Sequence, residues 1–126
     1  MVMKKIYLVS LFLVSLFFMS CEEVVDVDLN TAPPKLVIEA AINWKKGTSG
    51  NEQKIKLTTT SDYFSTTIPK VSGATVFITN SEDIVFNFIE RPDTGEYFCT
   101  NFAPILNEIY TLTVIHQGQT YTAQET

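Results

Sequence analysis

Two cysteines, one histidine and a scatter of serines and carboxylates are the side chains with which this 126-residue chain could do chemistry. His116 is the only histidine. Any metal site would therefore fall to carboxylates and Cys99, and no ligand-type spacing brings them together. His116 stands beside Gln117 and Gly118, which read as the bend of a hairpin, so a solvated turn residue is expected rather than a general base. Ser61, Ser65 and Ser72 have no base-like signature beside them, and neither G-x-S-x-G nor a Walker-type glycine pattern occurs. Asp26, Asp28 and Asn30 have the D-x-D-x-N start of a calcium loop. Thr31 then replaces the turn glycine, and Val37 stands where a bidentate Glu is needed. No catalytic residue, metal ligand or cofactor is expected, and the chain is expected not to be an enzyme.

Cys21 is the residue to which the sequence gives a chemical role. Lys4 and Lys5 precede an apolar run from Ile6 to Met19 broken only by Ser10 and Ser15, the pattern of a signal peptide over residues 1–20. The run is shorter than the roughly 20 residues that cross ~30 Å of hydrocarbon. It ends in Phe18-Met19-Ser20-Cys21, which resembles the lipobox of bacterial lipoproteins, where the chain is cut between Ser20 and Cys21 and Cys21 carries the acyl chains. Two or three such chains, at about 0.8 kcal/mol per buried methylene, hold a domain on a bilayer. The alternative is an ordinary secretory signal in which Cys21 is incidental. Glu22 and Glu23 resemble the acidic export signal that sends such proteins to the cell surface; the plainer reading is two solvated charges.

The elements that would carry such a role follow. Residues 21–34 form an acidic tether, with Val and Asp alternating before Pro33-Pro34, and a linker or a short added strand is expected there. Removing residues 1–20 takes Lys4 and Lys5 with it and leaves seven basic side chains against 14 acidic ones, a net charge near −7. Such a surface repels phosphate, which argues against nucleic acid.

Val, Ile and Thr supply 38 of the 126 residues, a composition that favours pleated strands. From Lys35 to Thr126 the chain reads as seven short strands separated by turn chemistry: KLVIEAAIN, QKIKLTTT, GATVFITN, DIVFNFIE, GEYFCT, IYTLTVIH and QTYTAQ. No helical period competes with them. An all-β two-sheet sandwich over residues 35–126 is expected, with Leu36, Ile38, Leu57, Val76, Ile78, Phe86, Tyr97, Leu112 and Val114 in its core and Ile84 and Phe88 also facing inward. Ala103 to Glu108 is expected to make an irregular turn.

Asp93-Thr94-Gly95-Glu96-Tyr97-Phe98-Cys99 fits the D-x-G-x-Y-x-C pattern of immunoglobulin variable-type strands. The only other cysteine is Cys21 and Trp44 follows no cysteine, so Tyr97 is read as closing a sandwich corner and Cys99 as a buried free thiol. Asp62, Tyr63 and Phe64 lie in a Thr- and Ser-rich stretch between strands. They are candidates for a partner contact, against the alternative that Phe64 pins the loop to the core.

Three stretches, LTTTSDYFSTTIPKVSGATVFITN, GEYFCT and IYTLTVIHQGQTYTAQET, resemble the amino-terminal part of the Bacteroidetes lipoproteins grouped as domain of unknown function 4249. CEEVVDVDL and KLVIEAAIN are similar to the start of those proteins. The resemblance implies an immunoglobulin-like or transthyretin-like domain on an outer-membrane lipoprotein, often encoded beside a TonB-dependent receptor, and it implies no catalytic residues. The resulting expectation is a lipid-anchored, non-catalytic accessory or binding module at the outer membrane, facing the cell surface or, alternatively, the periplasm. The rivals are a structural envelope component and the amino-terminal part of a longer protein whose activity lies further along. Members are commonly longer than this chain, so an incomplete or short member is expected.

Overall fold

The computed structural model describes residues 1–15 and 32–126. One helix, α1 (Val2–Ser15), forms over the start of the apolar run. No helix among the described residues is long and apolar enough to cross a membrane.

Seven strands follow: β1 (Leu36–Ala40), β2 (Gln53–Thr59), β3 (Thr75–Thr79), β4 (Val85–Arg91), β5 (Glu96–Cys99), β6 (Tyr110–His116) and β7 (Gln119–Glu125). They pair antiparallel throughout, in the order β1-β2-β5-β4-β3-β6-β7. The expected all-β architecture is therefore present, but as one continuous curled sheet rather than two separate ones. The join is β4. Its residues Val85–Phe88 pair with β3, while Ile89–Arg91 pair with β5. A strand that changes partner halfway along carries the ladder around the bend and leaves neither half with an open edge there.

The core lies inside the curl. On one side Val76 pairs with Phe88 and Val114, and Ile78 with Phe86 and Leu112, so alternate residues of β3, β4 and β6 stack on one face. On the other, Ile55 pairs with Tyr97 and Leu57 with Ile38. Leu57, Phe102 and Val114 are fully buried, and all nine expected core residues belong to this cluster or pack against it. Each buried aliphatic or aromatic side chain of this kind stabilises the fold by about 1.5–3 kcal/mol. Phe102 closes the bottom, 4.9 Å from the Phe86 ring and 4.8 Å from that of Tyr110. The expected turn follows it, with Glu108 N–H donating to the carbonyl of Ile105.

Ile84 departs from expectation. It is about half exposed and precedes β4, because Asn80 Oδ1 accepts from the amides of Glu82 and Ile84 while Asp83 takes a left-handed φ of 60°. The hairpin loop thus consumes the residue that alternation would place inward. The β6–β7 hairpin is as read: His116 pairs with Gln119, and Gln117 and Gly118 have φ of 49° and 75°, the positive pair of a two-residue type I′ turn.

Candidate functional site

The loop from Thr60 to Ile68 is closed at its base by ladder-like bonds. Thr59 N–H donates to Pro69 O at 3.0 Å, Val71 N–H donates to Leu57 O at 3.0 Å, and Lys70 bridges Thr58. On the other flank Thr60 N–H donates to Lys35 O, and Lys35 N–H donates to Thr60 Oγ1, both at 2.9 Å. The chain therefore enters the sheet at the root of this loop.

Within the loop, Ser65 N–H donates to Asp62 O at 2.9 Å, which makes Asp62–Ser65 a β-turn with Tyr63 and Phe64 as its two central residues. Ser65 Oγ then donates to Thr67 O and accepts from Thr67 N–H, fixing the return. Tyr63 is 86% and Phe64 80% exposed, their rings edge to face at 5.1 Å, and Ile68 beside them is 61% exposed. The alternative that Phe64 pins the loop to the core is overturned. The loop is held at its root instead, by the Thr59–Pro69 and Thr60–Lys35 bonds, and the segment that follows it is held by Tyr97 and Glu90.

Tyr97, 1% exposed, donates its hydroxyl hydrogen to Val71 O at 3.0 Å and accepts from Ala74 N–H at 3.1 Å. This is the corner closure read from the sequence. Burial raises its phenol pKa. Glu90 shares the inner face with Phe86 and Phe88 by alternation, a charged side chain where an apolar one would be anticipated. Its carboxylate accepts from Gly73 N–H at 2.9 Å and from Gly95 N–H at 3.3 Å. The Gly73 amide first, then the Ser72 hydroxyl, with help from the Gly95 amide, holds its pKa below the usual carboxylate value. Glu90 thus ties the turn at Gly73, just before β3, to the β4–β5 turn. Sequence reasoning missed it; the signal was a Glu at an inward register position two residues after Phe88.

The other candidates fall elsewhere. Ser20, Cys21, Glu22, Glu23 and the Asp26-Asp28-Asn30 stretch lie outside the described residues. Cys99 is a buried free thiol whose Sγ lies 2.9 Å from Asn101 Oδ1. His116 is half-buried at the end of β6. No group of three or more His, Cys, Asp or Glu side chains with metal-binding geometry occurs among the described residues.

A cleft of about 660 Å³ opens at the opposite end of the strands, lined chiefly by apolar side chains that include Ile42, Trp44, Phe102 and Leu106. Ala40 and Ile42, placed by alternation on the face of Leu36 and Ile38, line it instead of packing into the core, because β1 ends at Ala40. Its inner rim is held by Gln53, which accepts from Asn43 N–H and donates to Asn43 O and Gly50 O.

The fold and this geometry define an all-β domain that presents a braced aromatic turn beside the point where its chain enters. The profile of the family described as a domain of unknown function, DUF4249, matches residues 22–126, and the chain belongs to that family. No curated protein and no solved structure matches the chain.

Proposed function

We propose that the protein is a lipid-anchored, non-catalytic component of the bacterial outer membrane, tethered through Cys21, whose β-domain serves as an accessory or binding module. The observation that carries this reading is the order of segments. A charged start and a 14-residue apolar run end in Ser20-Cys21, and the family match begins at residue 22, one position later. An acylated Cys21 would hold the domain at a membrane face, and Glu22-Glu23 would direct it to the outer surface. The curled sheet is read as a two-layer sandwich of immunoglobulin-like or transthyretin-like kind, with β4 as the strand shared between layers.

Confinement raises the domain's effective concentration towards neighbours in the same membrane, so weak contacts suffice. The partner would be an outer-membrane protein such as a TonB-dependent receptor, met through inter-strand loops or an uncovered sheet edge. Mass spectrometry of the amino-terminal peptide tests the anchor: an acylated peptide starting at Cys21 is expected, and an unmodified Cys21 or a different start overturns it. Affinity capture from detergent-solubilised outer membrane tests the module. Specific recovery of a receptor supports it, and recovery of nothing beyond a lipid-anchored control domain favours a structural envelope component.

A further inference from the structure

The Tyr63–Phe64 turn has the composition and the position of a membrane-facing tip. Two aromatic rings occupy the central positions of a β-turn, with Ile68 behind them, all strongly exposed. Scattered apolar residues on a surface are ordinary, but a braced turn whose tip is wholly aromatic is not explained by folding. Nothing in the core gains from it.

Its location narrows the occupant. Lys35, the first residue of the chain's path into β1, is hydrogen-bonded on both sides to Thr60 at the loop's root. Lys70 stands on the other flank, bridged to Thr58. The charged side chains of the loop and its root are therefore Lys35, Lys70 and Asp62, with the Glu90 carboxylate behind them taken up by the Gly73 and Gly95 amides. Basic residues flanking aromatic ones suit the headgroup region of a bilayer, where rings sit among the carbonyls and ammonium groups reach phosphate. Thirteen residues lie between Cys21 and Lys35, so a tether of at most about 50 Å joins the anchor to this end of the strands. The cleft and the loops around it lie at the other end.

Area argues the same way. Two such rings offer about 300–500 Å², short of the ~800 Å² that each side of a standard protein interface buries. A shallow contact that only orients a domain already held by acyl chains needs no more. We propose that Tyr63 and Phe64 insert into the interfacial layer of the membrane to which Cys21 ties the chain, and so fix the domain with its tethered end down and its cleft end outward. The proposal deepens the anchored reading above and rests on it; it names the bilayer as the partner of the aromatic turn.

The test uses the mature full chain in vesicles of phosphatidylethanolamine and phosphatidylcholine, with and without acyl-chain-brominated lipid as a short-range quencher. The wild type reports from its single tryptophan, Trp44, in the loop after β1. Phe64→Trp adds a second indole at an exposed position where folding is not at risk. The added emission is expected to shift to shorter wavelength on vesicles and to be largely lost to the brominated lipid, while that of Trp44 is unaffected. Raising the salt concentration should change this little. Added emission unmoved by vesicles overturns the proposal, as does equal quenching of both indoles. So does added emission that shifts only when solubilised outer-membrane protein is supplied, the outcome that points to a protein contact instead. The mass of the same preparation reports acylation of Cys21 separately: unmoved emission in protein acylated at Cys21 overturns the turn alone, whereas an unmodified Cys21 overturns the anchored reading and the proposal with it.

Discussion

The phenol of Tyr97 spans from β5 to the loop before β3, donating to Val71 O at 3.0 Å while its ring lies 1% exposed in the core. One side chain therefore both fills the interior and fixes the segment from Val71 to Ala74 that leads into β3. A buried donor–acceptor pair of this kind contributes most by what its loss leaves to be satisfied: the carbonyl of Val71 and the amide of Ala74.

Tyr97→Phe keeps the ring and removes the hydroxyl. It is expected to lower stability by about 1–3 kcal/mol, whereas Tyr97→Ala, which also opens a cavity, should cost about 3–5 kcal/mol. Urea denaturation followed by far-ultraviolet circular dichroism separates the two. Equal losses for both variants would show that the hydrogen bonds contribute nothing.

Gly95 is the position where the backbone itself requires glycine. Its φ is +67°, and a Cβ there would lie 2.6 Å from Leu57 O, while its own carbonyl accepts from Leu57 N–H at 2.8 Å. Gly95→Ala should lose more than about 2 kcal/mol, from the left-handed conformation plus a backbone clash. Gly118→Ala, at φ +75° with nothing within 4 Å, should lose about 1 kcal/mol. A reversed order in the same denaturation assay contradicts the packing argument.

The Glu90 clamp predicts a pH dependence. A carboxyl held below its unfolded value contributes stability that is complete above the unfolded pKa and disappears as pH falls through the folded one. Urea midpoints should therefore drop between pH 5 and pH 3. Glu96, lowered chiefly by its hydrogen bond from Lys54, and Glu108, lowered by Ser81, act in the same direction. Glu90→Gln should make the acid-side decline shallower without abolishing it, an effect of under about 1 kcal/mol for so accessible a group. An unchanged slope removes the clamp from the account.

Cys99 should react with a thiol reagent only slowly in the folded protein and fully after unfolding, since its sulfur is buried at 3% exposure. In the acylated protein one thiol per chain is expected. Rapid native-state labelling would place the end of β5 in contact with solvent.

The strands were legible in the sequence because the signal is local. Alternation of Val76 and Ile78, or of Ile55 and Leu57, follows from a pleat of period two, and Gln117-Gly118 and Arg91 to Gly95 carry turn chemistry within a few residues. Tyr97 was legible for the same reason, through its spacing from Asp93, Gly95 and Cys99. The β-rich class and the family are readings of this kind. Tertiary structure alone decided that β4 divides between β3 and β5, so that one curled sheet encloses the core, because strand order depends on contacts distant in sequence. It also decided that Phe64 faces outward and that Glu90, at an inward register position, is satisfied by two turn amides. Whether an aromatic ring is buried, or a carboxylate accommodated, is set by which backbone the fold brings against it, and no local pattern of residues contains that.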